Sequence, residues 1–163
     1  MQRGLYFDEL REGAQYKTAR FTVTEDAVIR FAMEWDAQPF HVDAIAAQDS
    51  VFGGLVGSGL QTLLLSYRLY YDDGLLKGTA LAGLGIDRMS FHRPLRPGAT
   101  IQVEYALAEV RASTKPGRGI VRIDMMTRDA AGDIVLTFSL SALVAARPAG
   151  GSAAPGPTRQ ERS

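Results

Sequence analysis

Phe52-Gly53-Gly54-Leu55-Val56-Gly57-Ser58-Gly59-Leu60-Gln61-Thr62-Leu63-Leu64-Leu65-Ser66-Tyr67-Arg68-Leu69-Tyr70-Tyr71 is the stretch that decides the fold. From Leu60 onward its leucines and tyrosines cover most of a helical circumference, and a helix apolar nearly all round is a buried one. Ser58 is the N-cap, and the glycines before it let the backbone turn tightly into the helix. The chain around this helix must therefore supply cover on most of its sides.

The second half provides that cover. Ile101, Val103, Tyr105 and Leu107 alternate with Gln102, Glu104, Ala106 and Ala108, the period of a strand with one buried face. Further strands are predicted over 81–92, 119–128 and 133–145, the last two joined by the hairpin signal Asp129-Ala130-Ala131-Gly132, and another over 15–22. Residues 24–35 read as an amphipathic helix. Thr24 is its N-cap, Glu25 and Asp26 complement the dipole, and Val23 with Val28 forms a hydrophobic staple. Pro39 imposes a bend on residues 36–41, and a short helix is expected over 43–48. The order specifies an α+β domain, one curved antiparallel sheet wrapped around a long central helix.

At 163 residues the chain has the length of one domain, with 46% hydrophobic and 22% charged residues. The domain is expected over 1–146. Residues 147–163 hold no large apolar side chain and read as a disordered C-terminal tail. Eighteen basic residues balance eighteen acidic ones, so neither nucleic acid nor a membrane surface is indicated as partner. The lack of cysteine excludes a catalytic thiol and suits a reducing compartment. With no export signal at the start and no membrane-length apolar run, a cytoplasmic location is expected.

The densest polar cluster is Asp36-Ala37-Gln38-Pro39-Phe40-His41-Val42-Asp43. A carboxylate and an imidazole on either side of a proline bend can converge on one water. The free N–H groups at the start of the glycine-led helix could stabilise an oxyanion. The plainer alternative makes Asp36 a turn cap, His41 a satisfied loop histidine and the glycines aids to packing. Sharper motifs fail: residues 54–59 run G-x-x-G-x-G, the wrong spacing for a dinucleotide fingerprint, and Ser58 is not framed as a nucleophile elbow. His41, Asp43 and His92 have the ligand types of a two-histidine, one-carboxylate iron site, but a long buried helix after the first ligands does not suit that architecture, and no metal is expected.

Three segments together, residues 31–43, 52–59 and Phe91-His92-Arg93-Pro94-Leu95-Arg96-Pro97-Gly98, resemble the MaoC-like dehydratases. The group includes the R-specific enoyl-CoA hydratases. The likeness runs from about Tyr6 to Val144 and implies a hot-dog fold that pairs with a second copy, as a homodimer or higher homo-oligomer, with an acyl-CoA thioester at the junction. It implies a hydro-lyase adding water reversibly across a 2-enoyl thioester, with no cofactor. Asp36 and His41 would activate the water, and the Gly59 N–H would hold the thioester oxygen. Trp35, Gln38, Phe40, Gly57 and Ser58 would line the acyl site, while Arg88, Arg93 and Arg96, which flank the strand end nearest the family's ligand cleft, either meet the CoA phosphates or are solvated surface charges. Glu34-Trp35, Gln38 and Ser58 depart from the family's more usual residues, which leaves short, branched or carboxylated acyl groups open. The rival activities are thioester hydrolysis and acyl-CoA binding without turnover.

Overall fold

The computed structural model describes residues 4–148. Five strands form one antiparallel sheet: β1 (Gln15–Thr22), β2 (Ala80–Phe91), β3 (Thr100–Ala112), β4 (Arg118–Asp129) and β5 (Ile134–Ala145), in the spatial order β1-β3-β4-β5-β2. Three helices precede β2: α1 (Glu25–Trp35), the single turn α2 (Pro39–Val42) and α3 (Gly59–Asp73). Short 3-10 turns occupy Phe7–Glu9 and Ala46–Asp49.

The alternation read in the second half is the pleat of the sheet. Ile101, Val103, Tyr105 and Leu107 of β3, with Val121, Ile123 and Met125 of β4, face inward and are buried. Thr24 caps α1 by accepting from the Ala27 N–H at 3.2 Å, and both members of the Val23 and Val28 staple are fully buried. Gly74 ends α3 in the left-handed conformation at φ 87°. Burial beneath α3 pushes the Tyr105 phenol above its ordinary pKa, and its hydroxyl donates to Asp73 at the end of that helix.

One expectation needs correcting. A single sheet covers only one side of α3, so Thr62, Ser66, Leu69 and Tyr70 are buried whereas Leu60, Leu64, Tyr67 and Tyr71 are exposed. Edge strand β2 lies open as well, exposing Leu81, Leu84, Ile86, Met89 and Phe91.

The folded chain also extends past Ala146. The Arg147 N–H donates to Asp8 at 2.7 Å, and its guanidinium pairs with Glu9 and lies over the Tyr6 ring at 4.8 Å. The rest of the predicted tail, 149–163, lies outside the described residues.

Candidate active site

Helix α1 ends at Asp36, whose N–H still bonds the Ala32 carbonyl while its backbone has left helical geometry. Pro39 occupies the first turn of α2, where a missing N–H costs nothing, and so places His41 two residues later on a fixed turn. Asp43 closes this segment: Oδ1 accepts from the Ile45 and Ala46 N–H groups at 2.8 and 3.0 Å.

His41 is buried, and its Nδ1 lies 2.7 Å from the Val56 carbonyl. A carbonyl only accepts, so Nδ1 carries the proton and Nε2 presents its lone pair in the neutral ring. Nε2 faces Asp36 Oδ2 at 3.5 Å, a separation at which a water lying to one side can touch both. The same Oδ2 accepts from Ser58 Oγ at 2.7 Å, while Ser58 Oγ accepts from the Leu60 N–H at 3.2 Å. Ser58 therefore does two things at once: it caps α3 and fixes the carboxylate.

Gly59 opens α3, and among the described residues no acceptor takes its N–H. A Cβ at this position would lie 2.8 Å from Phe91 Cζ, so only glycine lets the ring at the end of β2 rest against the helix. Phe40 packs edge-on to His41 with ring centroids 4.6 Å apart, and against Phe52 at 5.3 Å.

These groups meet in a cleft of about 460 Å³. Of the residues singled out in the sequence, Asp36, Phe40, His41, Gly57, Ser58, Gly59, His92 and Arg93 border it. Arg93 is held at the mouth by Asp133 at 2.9 Å. Trp35, Gln38 and Arg88 do not border it. Trp35 is 67% exposed at the end of α1, and Gln38 stands just before α2. Arg88, a non-glycine residue at φ 52° in the irregular part of β2, borders a larger hollow of about 710 Å³ on the outer face of the sheet. That hollow holds no carboxylate–imidazole pair, whereas the smaller cleft does.

The iron-type ligand set does not assemble. Asp43 is a cap, His92 Nε2 bonds Thr137 Oγ1 at 2.9 Å, and among the described residues no cluster of three histidine or acidic side chains could hold a metal ion. No helix among them is long and apolar enough to cross a membrane. Sequence reasoning missed the Ser58 bond to Asp36 and the contact of Phe91 with Gly59. Both are contacts between residues distant in sequence, with no local signal to announce them.

One antiparallel sheet curved against one long helix is the hot-dog fold. The sequence profile of the MaoC like domain matches residues 9–128, and the chain belongs to that family. The crystal structure of the MaoC-like dehydratase from Rhodospirillum rubrum is similar with a TM-score of 0.83 at 35% identity, covering 89% of this chain and 99% of that one. Among curated relatives, the uncharacterized protein YdeM of Bacillus subtilis is 37% identical over 90 residues, which span 55% of this chain and 64% of YdeM. Protein MaoC of Klebsiella aerogenes is 35% identical over 99 residues, 60% of this chain and 29% of that protein. The chain thus spans less than two thirds of the length of both.

Proposed function

We propose that the protein is a hydratase/dehydratase that adds water reversibly across the double bond of a 2-enoyl-CoA thioester. The observation that carries this reading is the orientation of His41: with Nδ1–H committed to Val56, Nε2 is the base, and it lies 3.5 Å from Asp36 Oδ2, where a water to one side can touch both.

The water is held by Asp36 and by His41 Nε2. Nε2 takes its proton as the oxygen bonds to C3, and the C2=C3 electron pair moves towards the thioester oxygen. The Gly59 N–H, at the positive end of the α3 dipole, holds that oxygen as charge develops. C2 then takes the proton back from the imidazolium, which Asp36 has stabilised from 3.5 Å. The sum is one water added, and dehydration is the same path reversed. No electrons pass between substrate and protein, so the step requires no redox cofactor.

The working unit in this reading is a pair of copies. β2 is an edge strand with one backbone side unpaired, and it exposes an apolar row beside the exposed leucines and tyrosines of α3. A second copy laid antiparallel along β2 would cover both surfaces by an isologous contact. Phe91 and Leu60 border the cleft and belong to these surfaces, so the partner would wall the mouth where the CoA leaves.

Incubation with 2-enoyl-CoA esters and their saturated counterparts tests the reaction. Loss of the conjugated absorbance with no thiol release is the expected result. Thiol release from both sets would establish hydrolysis, and binding without either change would establish a carrier.

A further inference from the structure

The cleft has a buried floor and an exposed mouth, and this orients an acyl-CoA within it. Among its lining residues Val56, Thr62 and Leu95 are 1%, 3% and 2% exposed and form its floor, whereas Leu60 and Phe91 at the mouth are about half exposed. The bulky, polyanionic CoA moiety has to remain at the mouth, so the acyl tip points at Thr62.

Thr62 is also where the cleft stops. No α3 residue beyond it, and no residue of β1, β3, β4 or β5, borders the cleft among the described residues. One turn further on, Ser66 Oγ donates to the Thr62 carbonyl and bonds Thr127 Oγ1 of β4, both at 2.7 Å, and Ser66 and Thr127 are fully buried. This link ties helix to sheet and shuts the path an extended chain would follow. Between Gly59, which would hold the thioester oxygen, and Thr62 the helix rises only about 4.5 Å. That is room for about three C–C bonds beyond the carbonyl carbon.

The floor also has a chemical preference. Thr62 Oγ1 donates its proton to the Ser58 carbonyl at 3.2 Å and therefore turns only lone pairs towards an incoming group. The cleft's arginine, Arg93, is at the mouth and already paired with Asp133. A carboxylate at the acyl tip would be desolvated beside an acceptor, with no lysine or second arginine bordering the cleft among the described residues to meet it.

Resting on the hydratase reading, we infer that Thr62 sets acyl specificity and that the substrates are short, uncharged 2-enoyl-CoA esters of about four or five carbons. Longer chains must force the wall apart, and overpacking a close-packed wall is unfavourable.

The test is kcat/KM for straight-chain 2-enoyl-CoA esters of increasing length and for a four-carbon ester ending in a carboxylate. Calorimetric binding of butyryl- and octanoyl-CoA provides a readout independent of turnover. Expected is a fall of ~10-fold or more between the four- and eight-carbon esters, the scale on which a pocket resolves added methylenes, with butyryl-CoA bound more tightly than octanoyl-CoA. Thr62→Ala should raise the eight-to-four-carbon ratio several-fold, whereas Thr62→Val, which keeps the shape, should not. Equal or better use of the eight-carbon ester, or preference for the carboxylated one, would overturn the inference and leave the hydratase reading standing. Length-ordered binding without turnover would uphold the short site and remove the hydratase reading. Failure to bind any acyl-CoA would remove both.

Discussion

Ser58 Oγ donates a 2.7 Å hydrogen bond to Asp36 Oδ2 while capping α3, so the start of the central helix and the Asp36 carboxylate are positioned by one buried hydroxyl. Ser58→Ala removes both bonds. It should lower kcat ~10-fold or more with KM little changed, because Asp36 is freed to turn from the water. Loss of the cap should reduce stability by about 1 kcal/mol. Ser58→Thr should restore most of the turnover. A kcat equal to wild type in the alanine variant would reduce Ser58 to a helix cap.

In the proposed reaction Asp36 and His41 act on a single water and therefore as a unit. Asp36→Asn and His41→Gln should each lower turnover ~10²–10⁴-fold with the fold retained, checked by circular dichroism. The double variant should lose far less than the product of the single losses. Multiplicative losses would show that the two groups serve separate steps. Asp43→Ala, which removes only the cap on Ile45 and Ala46, should leave turnover within a few-fold of wild type.

The apolar row on β2 predicts assembly. Sedimentation should show at least a dimer at micromolar concentration, and Ile86→Lys should shift it towards monomer by placing a charge in the contact. If the cleft is walled by the partner, activity should fall along with the dimer fraction. An active wild-type monomer would rule out this interface.

Arg147 makes the end of the folded chain sensitive to acid. The Tyr6 N–H, and then Arg147, hold the Glu9 carboxyl below its ordinary pKa of 4.5. A carboxyl depressed in the folded state stabilises the fold above its unfolded value, and that contribution is lost as pH falls through the folded one. Truncation after Ala146 should therefore lower Tm measurably at pH 7, and the deficit should shrink on acidification below about pH 4. Truncation after Pro148, which keeps the contact, should have a smaller effect. Identical Tm values for the full chain and the Ala146 truncation would show that the Arg147 contacts add nothing.

Elements whose signal lies in local periodicity and capping were legible from the residues alone: β1 over Gln15–Thr22, α1 with its Thr24 cap, the start of α3 at Ser58, and the buried face of β3. Those features depend on φ/ψ preferences and on which side chains share a face, which neighbouring residues determine. The Asp36 and His41 pair was legible too, because α1 ends at one member and Pro39 places the other on the next turn. Other features depended on contacts between residues distant in sequence. Nothing near Ser58 indicates that its hydroxyl meets a carboxylate 22 positions earlier, nor does a phenylalanine at the end of β2 announce that it will rest on Gly59. Arg88, read as a neighbour of the ligand, lies instead on the outer face of the sheet, where a local irregularity of the edge strand carries it. The apolar circumference of α3 was visible in the sequence, but not which half the sheet would cover. That division follows from the packing of one curved sheet against one side of a helix, which leaves Leu60, Leu64, Tyr67 and Tyr71 in the open.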